Sequence, residues 1–154
     1  GEPKFDWKDI PLASQQNTQK VLLDEFEAFC LSMGNPHAVI FMQNLDELES
    51  LNLNVVGPRL EKNINFPEFT NIEFACVLED KTIRMRVWER GVGVTMACGS
   101  GACATLVAAF KINKSPKSNK IILDGGSLFV EWLNNGNVTL SGDTEKVYEG
   151  IIGG

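Results

Sequence analysis

Histidine and tyrosine each occur once in the 154 residues, cysteine four times, and 14 basic residues face 20 acidic ones. A single histidine with scattered cysteines cannot assemble a zinc-type ligand set, which needs closely spaced pairs, so no metal site is expected. The net charge of -6, with no basic run, gives no electrostatic footprint for nucleic acid or an anionic membrane. The longest apolar stretch, 96–110, contains glycines and is too short to cross a bilayer. No segment reads as a signal peptide. The cysteines do not form a disulfide framework. Cys98 and Cys103 on one helix would stand about 7.5 Å apart along its axis and on different faces, and Cys30 and Cys76 lie in apolar runs where a thiol serves as core filler. Free thiols fit a reducing cytoplasm. Two Gly-rich turns lack the strand–turn–helix setting of a dinucleotide fingerprint, so no cofactor is expected from the motifs.

What is present is a soluble globular composition, 44% hydrophobic and 22% charged, long enough for one domain with a substantial core. Strands are expected at 21–23, 26–33 and 37–42, with Gly34-Asn35-Pro36 turning between the last two. Asn44 is an N-cap for a short helix through Leu51, and a second helix is expected around 57–62 with Pro58 near its start. A loop covers 63–70, and strands 72–78 and 81–88 form a hairpin around Glu79-Asp80. A helix over 99–113 is apolar on nearly every side and should be surrounded by protein. Four strands follow, at 120–123, 127–133, 137–140 and 146–151. The expected fold is α+β, a curved and mostly antiparallel sheet making a barrel-like wrap around one buried central helix.

The chemistry gathers where strand 84–90 runs through Gly91 and Gly93 to Cys98-Gly99-Ser100-Gly101. The first turn of a helix presents N–H groups with no internal partner, and the macrodipole adds partial positive charge there. A cysteine at that place is expected to ionise more easily than a free one, and a carboxylate could dock on the same N–H groups. His37, Asn35, Asn71, Glu89 and Arg90 are the other polar residues that stand out.

Together these pieces resemble one family. Ser32-Met33-Gly34-Asn35-Pro36-His37, Phe69-Thr70-Asn71-Ile72-Glu73-Phe74, Arg84-Met85-Arg86-Val87-Trp88-Glu89-Arg90-Gly91 and Ala97-Cys98-Gly99-Ser100-Gly101-Ala102-Cys103-Ala104 occur in the order and spacing of diaminopimelate epimerases. The resemblance covers nearly the whole chain. It departs from the family at Val94, where glutamate is usual, and at Asp143, often proline. It implies a bacterial, cytoplasmic isomerase of lysine and peptidoglycan-precursor biosynthesis that works without a cofactor. The family's enzyme has two domains, and residues 1–154 resemble the C-terminal half, so the N-terminal half is expected as a partner outside this chain. A homodimer is a further partner the reading admits. The resemblance implies Cys98, Glu89 and His37 as catalytic residues and Asn35, Asn71, Arg90, Gly99 and Ser100 as contacts to diaminopimelate. By itself the chain is expected to be inactive, because the second thiol belongs to the other half. Three alternatives stay open: another cofactor-independent amino-acid racemase, a cysteine hydrolase with His37 as base, and a non-catalytic binding module.

Overall fold

The computed structural model describes residues 1–151. Its strands are β1 (Val21–Leu23), β2 (Phe26–Ser32), β3 (Pro36–Phe41), β4 (Asn71–Val77), β5 (Ile83–Glu89), β6 (Gly93–Val94), β7 (Ser118–Leu123), β8 (Gly126–Trp132) and β9 (Val138–Ser141). The helices are α1 (Leu45–Ser50), α2 (Leu53–Glu61) and α3 (Gly99–Lys111). One sheet runs in the order β1-β2-β3-β4-β5-β7-β8-β9, with β6 paired to the end of β5. Most pairings are antiparallel. The parallel ones, β3–β4 and β5–β7, are joined by long crossovers, as parallel pairing requires. The first crossover carries α1 and α2, and the second carries β6 and α3.

Side-chain alternation along β2 to β5 gives the sheet two buried faces. Phe29, Leu31, Val39, Ala75, Met85 and Val87 point to the side where α3 lies. Ala28, Cys30, Ala38, Ile40, Ile72, Phe74 and Cys76 point to the other, where Leu48, Leu53 and Leu60 of α1 and α2 cover them. α3 packs against β2, β3, β4, β5, β7, β8 and β9. Its interior positions Ala102, Ala104, Ala108 and Ala109 are small, which lets strands approach on several sides at once. The wrap around a buried helix is therefore present, but the sheet is open: β1 and β9 are its edges and do not pair with each other.

Local signals explain most boundaries. Asn44 accepts from the Glu47 N–H and starts α1. α3 stops two residues before the expected Asn113, which takes a positive φ of 60°. There the Lys114 N–H reaches Ala109 O and the Asn113 N–H reaches Phe110 O, the hydrogen-bond pattern of a Schellman ending. α2 begins at Leu53, ahead of the expected 57, with Asn52 as its cap and Pro58 inside the helix. Burial of Leu53 and Leu60 on the sheet outweighs the proline cue. The strand expected over 146–151 is absent. Those residues form no strand pairing in the described structure, although the outer edge of β9 is open, because Val147, Tyr148 and Ile151 stand exposed with no core face to bury.

Gly57 sits face to face with the Trp88 indole, and a methyl at its α-carbon would overlap the ring. Ala is the better helix former, yet Gly57→Ala should destabilise the fold by on the order of 2 kcal/mol through overpacking. Urea denaturation of the two proteins checks this. A stabilised variant would contradict the packing account.

Candidate active site

The alternation that builds the core also builds the site. His37 on β3, Glu73 on β4 and Glu89 on β5 have the parity of Val39, Ala75 and Val87, so all three stand on the α3 face. Cys98, the N-cap of α3, arrives at the same face. Its Sγ accepts from the Gly101 N–H at 3.3 Å and lies 3.6 Å from Ser100 Oγ. Helix geometry leaves the N–H groups of Gly99 and Ser100 without an i−4 partner.

The polar side chains form a chain of contacts that ends at this thiol. Glu73 Oε1 is 2.6 Å from His37 Nδ1, both side chains being fully buried. His37 Nε2 is 3.0 Å from Asn35 Oδ1. Asn35 Nδ2 donates to Ser100 Oγ at 3.4 Å. Asn35 reaches this place from the β2–β3 turn, which Gly34 allows by its φ of 100°.

A second group fixes the turn after β5. Asn71 Oδ1 accepts from the Arg90 N–H at 2.9 Å and its Nδ2 donates to Pro36 O at 2.9 Å. The buried Glu61 accepts from Trp88 Nε1 and from the Gly91 N–H, both at 2.8 Å. Arg90 donates to Glu68 O. Glu89 accepts from Thr95 Oγ1 at 2.5 Å.

All eight residues singled out by the sequence thus lie on three strand ends and one helix start. Asn35, His37, Cys98 and Ser100 are in one network, Asn71 and Arg90 in a neighbouring one, and Glu89 approaches from the β5 end. Sequence reasoning passed over Glu73, Thr95 and Glu61. Glu73 had a signal: it is the one charge in a buried strand whose only other polar residue is Asn71, and a buried polar group is the informative exception. The hydrolase alternative needs an imidazole on the thiol. Here both ring nitrogens of His37 face Glu73 and Asn35. No group of three or more potential metal ligands occurs among the described residues, and no described helix is long and apolar enough to cross a membrane.

The expected easy ionisation of Cys98 is corrected by the structure. Burial, with the Glu73 carboxylate next and Glu89 last, pushes the thiol up to about 11, while Ser100 and the Gly101 N–H pull only weakly the other way. The helix start favours a thiolate, but loss of water and two neighbouring negative charges outweigh it. Cys98 rests as a thiol.

Comparison with known proteins agrees with the motif order. The diaminopimelate epimerase family model matches residues 29–147. The chain belongs to the diaminopimelate epimerase family. A diaminopimelate epimerase of Rhodospirillum centenum is 45% identical over 99% of the chain and 52% of the relative. One from Parabacteroides distasonis is 50% identical over 79% and 45%. The chain spans about half the length of the curated relatives it matches. Two solved structures share the fold at a TM-score of 0.53. A predicted epimerase from Pseudomonas aeruginosa is 15% identical over 97% of the chain and 57% of that structure. A probable proline racemase from Agrobacterium radiobacter is 17% identical over 73% and 41%.

A thiol raised to about 11 has a pH signature. Alkylation of Cys98 by iodoacetamide should be slow at neutral pH and rise about tenfold per pH unit towards 11, since the thiolate is the nucleophile. Peptide mass mapping follows it, and a plateau below pH 9 would contradict the assignment. Cys30, Cys76 and Cys103 are raised as well, each chiefly by burial. Unfolded thiols ionise near pH 8.5, so above that pH the folded chain binds more protons than the unfolded one. The contribution to stability is complete below about pH 8 and should fall as pH rises from 8.5 to 11. Urea midpoints across that range measure it.

Proposed function

We propose that this chain is the C-terminal catalytic half of a cofactor-independent diaminopimelate epimerase. It would interconvert LL- and meso-diaminopimelate in the bacterial cytoplasm, on the route to lysine and peptidoglycan precursor. The observation that carries this reading is the placement of the Cys98 thiol as N-cap of α3, beside two helix-end N–H groups, in a chain of this family.

Inverting an α-carbon takes a base on one face to remove the proton and an acid on the other to return one. Cys98 is protonated at neutral pH and suits the acid in one direction and, once emptied, the base in the other. The Gly99 and Ser100 N–H groups would receive the α-carboxylate, where negative charge builds as the proton leaves. His37 and Glu89 would flank the thiol and the nearby ammonium. Asn35, Asn71 and Arg90 would define the distal end, the guanidinium taking the second carboxylate in its fork. Glu89 would be held for this by Thr95, and the Arg90 backbone by Asn71.

The second thiol is assigned to an N-terminal half. Two observations support a missing cover. The matched relatives are about twice as long. Val92, Val94 and Met96 precede Cys98 as exposed apolar side chains, and Leu140, also exposed, lies against Gly99. Apolar exposure grouped beside a site fits a surface that another domain covers.

The test is solvent deuterium uptake at the α-carbon of diaminopimelate, read by nuclear magnetic resonance. The two-half enzyme should exchange, and Cys98→Ser should lose at least about a hundredfold of that rate. The chain alone should not exchange, and a separately expressed N-terminal half should restore it. Robust exchange by the chain alone would refute the two-thiol account. In the same enzyme Arg90→Ala should lower kcat/KM by roughly 30-fold, the equivalent of about 2 kcal/mol for a charged hydrogen bond. Unchanged kinetics would remove Arg90 from substrate recognition.

A further inference from the structure

Glu73 is a buried carboxylate to which the proposed reaction assigns no role. Its side chain is fully inaccessible, as is that of His37. Burial of a charge without compensation costs several kcal/mol, so a carboxylate in the middle of a core strand needs a reason. One oxygen is accounted for by His37 Nδ1 at 2.6 Å. The other, Oε2, is the buried side-chain polar atom without a partner among the described residues. Glu73 also stands against α3. A Cβ placed on Gly101 would be 2.8 Å from Glu73 Oε1 and 3.1 Å from Cys98 Sγ. Only a residue with no side chain leaves the carboxylate and the thiol side by side there. The carboxylate therefore touches one end of the His37–Asn35–Ser100 chain and lies beside the sulfur at its other end.

We propose that Glu73 is a positioning residue of this site, holding the His37 ring with Nδ1 protonated and, through Asn35 and Ser100, setting where the Cys98 thiol stands. The proposal rests on the epimerase reading for its consequence in catalysis, but not for its geometry. An ionised carboxylate can only accept, so the Nδ1 proton points at Glu73. Nε2 faces the acceptor oxygen Asn35 Oδ1 at 3.0 Å and must donate to it, so the ring held here carries a proton on both nitrogens. The charged groups facing Cys98 are Glu73 from β4 and Glu89 from β5, with His37 of β3 beyond Glu73. Removing the Glu73 charge leaves Glu89 as the one carboxylate acting on the thiol.

Three readouts decide it. His37 is the sole histidine of the chain, so its ring nitrogens can be assigned without ambiguity in the unmodified 154-residue chain by nitrogen-15 resonance. The expected result is a protonated Nδ1, and a ring protonated only at Nε2 overturns the proposal. In Glu73→Gln, which keeps the shape and removes the charge, the alkylation profile of Cys98 should move down by roughly one pH unit. A profile that stays in place overturns it, since a filler side chain would not set the thiol's ionisation. In the two-half enzyme the same variant should lower kcat for α-hydrogen exchange by at least about tenfold, with KM changed less than about twofold. Unchanged kcat overturns the proposal. An unmodified enzyme that exchanges no α-hydrogen overturns the epimerase reading, and the first two readouts still judge Glu73.

Discussion

Burial of α3 from Gly101 to Ala109 is the constraint from which the rest follows. A helix apolar on nearly all sides cannot rest on one face of a flat sheet, because its far side would remain in water. Here β2 to β5 and β7 to β9 surround it, and the small residues Ala102, Ala104, Ala108 and Ala109 let them close in. Such wrapping exposes the outer face of the same strands. That face is equally apolar on β2 to β4, so α1 and α2 are needed to cover it. The crossover that holds them makes β3 and β4 parallel neighbours and brings His37 and Glu73 onto the same face one pleat apart.

The same burial sets the chemistry. The inner end of the site, at Glu73 and His37, is fully buried, so polar groups there call for partners, and among the described residues Glu73 Oε2 is the buried side-chain atom left without one. Glu73 has His37, His37 has Asn35, Asn35 has Ser100 and Ser100 has Cys98. Asn71 and Glu61 do the same for the turn that carries Glu89 and Arg90. Glu73–His37, Asn35–Ser100, Asn71–Arg90 and Glu61–Gly91 join segments far apart in sequence, while His37–Asn35 and Ser100–Cys98 link residues two apart.

Local signals in the sequence reach a long way here. Asn44 and Asn52 side chains, the Gly34 turn and the Glu79-Asp80 hairpin mark boundaries by chemistry confined to a few residues. Alternation in β2 to β4 is masked because both faces are apolar, so the sequence reads as continuous runs and does not reveal which side α3 occupies, whereas β5 alternates openly. Pro58 misled because a proline is a good helix start in general, whereas the packing of Leu53 and Leu60 decides this helix. Residues 146–151 carry strand-like composition, but Val147, Tyr148 and Ile151 meet no core face to bury, so nothing draws the segment onto the open edge of β9. The site residues were legible as types at motif positions. Their contacts were not, since the Glu73–His37 pair joins positions 36 residues apart, and the effect of Glu73 on Cys98 depends on Gly101 having no side chain.

The thiol shows why position on a helix does not settle ionisation. Considered alone, the N-terminus of α3 favours a thiolate by its dipole and by the Gly101 N–H. Within the fold, burial and Glu73 dominate and the proton stays on sulfur. For the proposed reaction that balance matters more than a reactive thiolate would. A group that must donate a proton to a carbanion-like centre has to hold that proton at rest, and two thiolates facing one substrate would have no acid between them. A carboxylate beside Cys98 biases it towards the protonated form before substrate arrives. The substrate's ammonium and the helix-end N–H groups then act in the opposite sense once the α-carbon gains charge. In this view the environment of Cys98 is built so that the proton can leave in the transition state and return afterwards, with its complement on the other face supplied by the half that would cover Val94 and Met96.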